Sequence, residues 1–476
     1  MAKIAFVQFL FMQLLGPMQL SAQLKKAGHK CIMAAGNPKE ILNRLNRERP
    51  DMIAFSSTAN ERRWVKYMAR RIKDNFSKNA PIIVGGPLAT FSPEIIEDSS
   101  IDMICIGEGE EAIEELPAVI EDEAGQTKIK NLWVKKRRHI FKNSLRPTID
   151  DLDEIEFPDR NLYDDYPFIR DDASARVIIS RGCPYSCSFC FESAYRKIFG
   201  ESGYKVRKRS VDNVIAELIR VKEKYRKRRI WFIDDLFPLH DKQWLSDLLQ
   251  RYRKEVALPF RCHTRIDLID EEIIWMLKDN GFCEGISFGL ETGNETYRKE
   301  ILRKKIDNDR IRKGVKILRH YGLKFSTTNM MGLPGEKVED ALLTIKFNRN
   351  IKPSFCVCTV YQPLPNTKLA EFALGHKYIE EEDLSRIPLF SHSGSLLRQK
   401  DIDLLVNLHK FFYLVFYVPS LTPLVKVLIK IPNNLFYNMF YKVSYFIFYM
   451  HKIYRFKWLR MMQEAAVSLT YYHDRW

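Results

Sequence analysis

The chain has 476 residues, 46% apolar and 29% charged, which leaves room for roughly two to four folded domains and excludes disordered, collagenous and disulfide-scaffold classes. Its 76 Lys and Arg against 60 Asp and Glu give a formal charge of +16, favouring an acidic partner without choosing among nucleic acid, anionic lipid and phosphorylated ligands. The opening MAKIAFVQFLFMQ has one Lys and no small-residue cleavage site, so it reads as a buried strand rather than a secretory signal, and the nine cysteines are expected in a reducing cytoplasm, where clustered thiols act as ligands.

Residues 1–125 alternate short apolar runs with amphipathic stretches: KIAFVQF, a helix over 19–27, HKCIMAA, DMIAFSS, a helix over 61–76, PIIVGG and DMICIG. This alternation predicts an α/β domain with a doubly wound parallel sheet. Residues 126–172 read as a small hairpin followed by an acidic, proline-punctuated linker. From 173 to 380 the alternation restarts, with strands at RVIIS, RIWFIDD, FRCHTRID, GISFGLE, KFSTTNMMG and FCVCTVY. Six strand-helix repeats predict a partial (β/α)6 barrel whose working loops lie at the strand C-terminal ends. Residues 381–476 are expected to form a mainly helical, aromatic-rich basic extension. No acidic residue lies between Phe411 and Gln463, and the uncharged run Phe411–Val425 is too short to span a bilayer.

The strongest local signal is RGCPYSCSFCF, which places Cys183, Cys187 and Cys190 in a C-x3-C-x2-C loop directly after RVIIS. Three thiolates at that spacing can hold three irons of a 4Fe–4S cluster and leave the fourth open to a chelating amine and carboxylate. A structural zinc site, the alternative, normally takes four protein ligands. Cys31, Cys105, Cys262, Cys283, Cys356 and Cys358 sit mostly within apolar, strand-like runs.

This loop, with Phe189 before its last cysteine, resembles the signature of the radical S-adenosylmethionine (SAM) enzymes. The resemblance implies a cluster that cleaves SAM, and it extends along the later strands. Asp234 and Asp235 in FIDDLF stand where members place acids near the SAM amino group. Glu291 in GLETG matches the acceptor of the ribose hydroxyls, and Gly332 in MMGLPGE the loop that reads the adenine edge. Arg265 in HTRID faces the same mouth, either toward a SAM or substrate carboxylate or toward Asp267 or Asp235 as a salt bridge.

In the first domain, Gly16, then Ser56, Ser57 and Thr58, then Gly85 and Gly86, then Gly107 and Glu108 fall at predicted strand ends, where an open parallel sheet binds its ligand. Their order resembles the cobalamin-binding domain. Phe11 and Gln13 stand where that family has its Asp and its cobalt-ligating His, so the resemblance implies cobalamin held without a histidine below the metal.

Together these features imply an enzyme using a 4Fe–4S cluster, SAM and cobalamin to methylate an unactivated carbon of a small-molecule or lipid-like substrate. An external one-electron donor such as a flavodoxin or ferredoxin is implied as well. The alternative within the family is oxidation, cyclisation or ring rearrangement without methyl transfer; RNA modification is a third reading, though a compact accessory RNA-binding domain is not evident. The C-terminal section has two readings. It is a helical cap with buried aromatics, or an interfacial element whose clusters FFYLVFY and YFIFYMHKIYRFKW make the enzyme peripheral to the inner face of the membrane.

Overall fold

The computed structural model describes residues 1–9, 12–280, 282–390, 392, 394–445 and 447. Phe11 and most of YFIFYMHKIYRFKW lie outside the described residues. Strands β1 (Lys3–Gln8), β2 (Lys30–Ala35), β3 (Met52–Ser56), β4 (Ile82–Gly85) and β5 (Met103–Cys105) run parallel in the order β2-β1-β3-β4-β5. They are continuous apolar runs because both faces are covered. Helices α2 (Pro38–Glu48) and α3 (Arg62–Asn75) set Ile41, Leu45, Trp64 and Met68 against Ile53, Phe55 and Val84. On the other face α1 (Leu15–Lys26) sets Met18 and Leu24 against Ile4, Phe6 and Ile83. The start of α2 is fixed locally: Asn37 and Glu40 form a reciprocal capping box, and Pro38 fills the first turn, where no donor is needed.

The hairpin after residue 126 does not stand between domains. Its strands β6 (Leu132–Lys136) and β7 (His139–Lys142) add antiparallel to β5 and extend the first sheet to seven strands. The linker beyond it is tied to both domains. Arg160 is buried and donates to Gln13 Oε1, the Arg176 carbonyl and Glu217 Oε1, while Arg209 takes the other Glu217 oxygen.

The second sheet is wholly parallel, in the order β8 (Ser174–Val177), β11 (Arg229–Phe232), β12 (Phe260–Thr264), β13 (Cys283–Glu291), β14 (Lys324–Met331) and β15 (Phe355–Val360). It curls as a half-barrel, with β8 and β15 as its two edges. Alternate residues such as Ile230, Phe232, Cys262, Ile286 and Phe288 pack under the helices, so the intervening residues take the concave face. That face is polar: Trp231 Nε1 donates to His263 Nε2 at 3.0 Å, and Ser287 and Ser326 share a hydrogen bond at 2.6 Å.

Between β8 and β11 a short ribbon, β9 (Ser180–Arg181) paired with β10 (Arg207–Lys208), brings two arginines to one acid of the first domain. Glu108 accepts from Arg181 at 3.1 Å, from Arg207 at 2.9 and 3.0 Å, and from the Ile149 amide at 2.7 Å. Burial alone would raise the Glu108 pKa, but Arg207 and Arg181 outweigh it and hold the carboxyl below its ordinary range. Glu108→Gln leaves the buried Arg207 without its counter-charge, while Arg181 keeps its ion pair with Glu110. It is expected to cost about 2–3 kcal/mol, low for a broken buried pair because Arg181 is 26% exposed and retains Glu110. A depressed folded-state pKa stabilises above the unfolded value, near 4.3, and that stability is lost as pH falls through the folded value. Denaturant titrations of wild type and variant at pH 7 and in acid should therefore converge in acid; a constant gap would show that the clamp is not ionic.

Helices α9 (Ile402–Lys410), α10 (Phe412–Tyr417), α11 (Thr422–Leu428) and α12 (Leu435–Tyr445) pack on the β14–β15 edge and on α8 (Val338–Ile351). Phe411, Phe412 and Tyr413 are buried against Phe355 and its neighbours, so the FFYLVFY cluster is core. No helix among the described residues is long and apolar enough to cross a membrane.

Candidate active site between the two sheets

The C-terminal ends of both sheets open on one cavity of about 420 Å³. The first sheet contributes Gly16, Ser56, Gly85, Gly86, Gly107 and Glu108; the second contributes Arg181, Gly182, Phe191, Glu192, Tyr204 and Asp235. The first rim is backbone-lined. A Cβ on Gly16 would lie 3.0 Å from Ser56 Oγ, and one on Gly86 would lie 3.0 Å from the Ser57 carbonyl, with φ at +79°. A Cβ on Gly85, by contrast, would meet nothing nearer than 3.8 Å, so its missing side chain leaves open cavity. Gly107 has a different reason: a side chain there would overlap the Phe199 ring on helix α4 (Phe191–Gly203), across the domain boundary.

Three residues expected on this rim are engaged elsewhere. Gln13 is buried outside the cavity, its amide spanning the Ile169 carbonyl and Arg160. The Ser57 backbone closes the turn through the Gly85 carbonyl and the Leu88 amide. Thr58 caps the next turn by donating to Glu61. Glu108 lines the cavity with its carboxylate occupied by the two arginines.

On the opposite wall the cysteine loop is pinned at several points. The Ser188 amide and hydroxyl donate to the Leu302 and Ile301 carbonyls, Arg196 donates to the Cys183 carbonyl, and the Cys183 amide donates to Tyr204 OH at 2.7 Å. Gly182, with φ at +91°, has the Tyr204 hydroxyl where a Cβ would sit. Cys187 is buried and Cys183 and Cys190 are half-buried. Burial pushes the Cys183 thiol up to about 11 and raises Cys187 and Cys190 as well, so an iron on each sulfur is what would favour the thiolates. Among the described residues no three His, Cys, Asp or Glu side chains converge on a single-ion site. Thiolates on separate corners of a cluster need no such convergence.

Several polar atoms near the strand ends of the half-barrel have no partner. Asp234 Oδ2, Thr264 Oγ1, Glu336 Oε1, Tyr361 OH and Gln362 Oε1 are buried without a hydrogen bond, each at or within a few residues past the C-terminal end of a strand, and none of the five lines the cavity. Buried polar groups are normally satisfied, so these five are candidate contacts for a polar ligand. Asp234 Oδ1 is held by the Ile179 and Ser180 amides and the Ser180 hydroxyl, and burial raises its pKa to about 7. Asp235 lines the cavity and is exposed to it. Burial raises its pKa, and burial together with the Asp235 charge lifts its neighbour Glu192 to about 7.

Residues 11–117 match the family model of the B12 binding domain, and residues 177–347 match that of the radical SAM superfamily. The chain belongs to the cobalamin-dependent radical SAM enzymes. Its cofactors are accordingly a 4Fe–4S cluster, SAM and cobalamin. An uncharacterized methyltransferase of Pyrococcus horikoshii is 28% identical over 333 residues, covering 69% of this chain and 71% of that protein. The same fold occurs in the radical SAM methyltransferase TsrM from Kitasatospora setae, solved with cobalamin and a [4Fe–4S] cluster (TM-score 0.64, 16% identity, 79% and 78% of the two chains). It also occurs in the cobalamin-dependent SAM radical enzyme OxsB, solved with aqua-cobalamin and SAM (TM-score 0.67, 15% identity, 100% and 76%).

The residues of this radical SAM enzyme fit the three groups: a thiol triplet for the cluster, unpartnered polar atoms near the strand ends for SAM, and a glycine-rich rim for a corrin. The SAM-side candidates differ in how free they are. Arg265 is committed to Asp267 through two hydrogen bonds of 3.0 and 2.9 Å, lies 3.5 Å over the Tyr185 ring, and has Nη1 3.8 Å from Cys187 Sγ. Glu291, with φ at +65°, has Oε1 held by Lys304 at 2.8 Å. Phe189 packs against the cluster that holds Leu302, Leu333 and Tyr361, and Gly332 turns the chain at φ +71° toward the buried Glu336. Glu192 and Tyr204 were not legible as site residues. Glu192 follows Cys190 closely enough to be suspected, whereas Tyr204 reaches the loop only through the fold.

The Asp234 proton gives a test. The folded state keeps it up to about pH 7 while an unfolded Asp loses it near 4, so the native state binds more protons between those values and stability falls as pH rises through them. Asp234→Asn keeps the Oδ1 acceptor and removes the titration. Its unfolding free energy relative to wild type should rise between pH 4 and 7 by an amount on the order of a few kcal/mol; a pH-independent difference would place the charge in a paired setting.

Proposed function

We propose that the protein is a radical SAM C-methyltransferase acting on a small molecule. Cys183, Cys187 and Cys190 would hold the cluster; Asp234, Asp235, Phe189 and the turn at Gly332 would orient SAM; and Gly16, Ser56, Gly85, Gly86 and Gly107 would accommodate cobalamin. The observation carrying this reading is the single cavity. It has the glycine rim of the first sheet on one wall and Gly182, Phe191, Glu192 and Asp235 on the other, and these flank the cysteine loop; the cysteines, Asp234, Phe189 and Gly332 lie outside its lining, so the cluster and SAM would sit beside this space. When bound, the cluster and SAM supply a hydrogen-abstracting radical and cobalamin a transferable methyl group. The chain's work is positioning and shielding. Tyr204, Arg196 and Ser188 fix the loop, Arg265 sets a positive charge beside Cys187, and the Glu108–Arg181–Arg207 clamp keeps the two sheets in register across the cavity.

The chain would work in a reducing cytoplasm with a flavodoxin or ferredoxin as electron donor. The deciding experiment is anaerobic turnover of the reconstituted enzyme with methyl-labelled SAM and a small-molecule extract of the source cells. A labelled product together with S-adenosylhomocysteine is expected. 5'-Deoxyadenosine without S-adenosylhomocysteine or label transfer would instead assign oxidation, cyclisation or rearrangement.

A further inference from the structure

Helices α11 and α12 each bury one side and leave the other uncovered. Val425, Ile429, Tyr437 and Tyr441 point into the core shared with β15 and α8. The outward sides are apolar where solvent would call for charge. Leu424, Val427 and Ile431 are exposed on the first arm; on the second, Leu435 is 84%, Phe436 63% and Met439 56% exposed. Leu424, Val427 and Ile431 are spaced three and four apart, and Leu435 and Met439 four apart with Phe436 between them, so they form stripes rather than scattered contacts. Nearly all the remaining exposed large hydrophobics of the described residues stand singly, whereas these share one hairpin, as a functional patch does.

The charge beside the stripes has one sign. Lys426, Lys430 and Lys442 are exposed and make no ion pair among the described residues, and no Asp or Glu occurs from 404 to 463. Two copies joined through this face would bring like charges together, whereas an anionic lipid surface takes the apolar side chains below its phosphates and the ammonium groups level with them. Among the described residues the two arms are seven and eleven residues long, too short to cross the hydrocarbon core.

We propose that the exposed sides of α11 and α12 dock the enzyme flat on an anionic bilayer. The inference does not depend on the reaction being methyl transfer. The hairpin is joined through α9 to the β15 edge of the half-barrel, and Ile402 of α9 is the side chain nearest Gly332 at the barrel mouth. Docking there would bring the half-barrel to the membrane, where a hydrophobic substrate is dissolved.

The test is flotation of the full-length, iron-reconstituted enzyme with vesicles of phosphatidylcholine alone or with added phosphatidylglycerol. Binding that requires phosphatidylglycerol and falls with salt is expected. Changing all three of Lys426, Lys430 and Lys442 to Glu should weaken it about 100-fold or more, at roughly fivefold per lost cation. L435D together with F436D should weaken it at least about tenfold. Both variants alter exposed positions only, so iron content and unfolding midpoint should match wild type and separate loss of docking from loss of fold. The proposal fails if the intact enzyme does not float, if neither variant changes flotation, or if L435D/F436D converts a dimer to a monomer while vesicle binding stays the same.

Discussion

Changing Cys183, Cys187 or Cys190 to Ala is expected to remove the cluster and reduce SAM cleavage below detection, with iron falling from about 4 per chain toward zero. The loop geometry supports an all-or-none result. The triplet lies on a segment fixed at Cys183 by Tyr204 and Arg196 and at Ser188 by Leu302 and Ile301, so a remaining pair cannot shift to share the load. The other six cysteines are the internal control. Cys262 and Cys283 lie on neighbouring strands of the half-barrel, Cys356 and Cys358 on β15, Cys105 on β5 and Cys31 on β2, all within sheets rather than on the loop. Their Ala variants should retain iron. Iron analysis and the anaerobic absorption spectrum read the result, and a cluster surviving the loss of any one loop cysteine would refute the assignment.

The second large effect concerns cobalamin and separates two adjacent glycines. Gly85→Leu meets no protein atom within 3.8 Å of its Cβ, so the fold should tolerate it while the side chain fills the cavity. Cobalamin affinity should fall at least about tenfold, as expected when a bulky group occupies space the ligand needs, with unfolding midpoint and iron content unchanged. Gly86→Ala should instead lose stability as well, by about 1–2 kcal/mol, because its backbone is left-handed and its Cβ would press on the Ser57 carbonyl. Titration of the full-length enzyme with cobalamin checks both, and equal binding by wild type and Gly85→Leu would move the corrin off this rim. None of the residues lining the cavity is a histidine. The electron paramagnetic resonance spectrum of the cob(II)alamin form should therefore show no splitting from a protein imidazole nitrogen.

The C-terminal section shows where composition misleads. FFYLVFY looks interfacial by its rings, yet Phe412 and Tyr413 are buried on β15, and the uncovered apolar side lies in the following helices, among residues less aromatic but solvent-facing. Aromatic content does not say which side of a helix meets the rest of the chain; only packing does.

Local features were legible because their causes are local. Period-two and helical patterns placed all eleven parallel strands, and the C-x3-C-x2-C loop needs only a strand before it and a helix after it. Glycines at strand ends were legible for the same reason, since a turn without side chains is written in a few consecutive residues. The partners of the charged groups were not. Glu108 is captured by Arg181 and Arg207, Glu291 by Lys304 and Arg265 by Asp267, and the hairpin after residue 126 joins β5. Each carboxylate had several basic candidates along the chain, and an ion pair or an edge strand commits only where folding excludes water and brings one candidate within about 3 Å. The sequence by itself determined where the strands fall along the chain, the three-cysteine loop and the glycines at strand ends; the tertiary structure decided the order of strands within each sheet, and which polar groups are spent on holding the two sheets together and which stay without a partner.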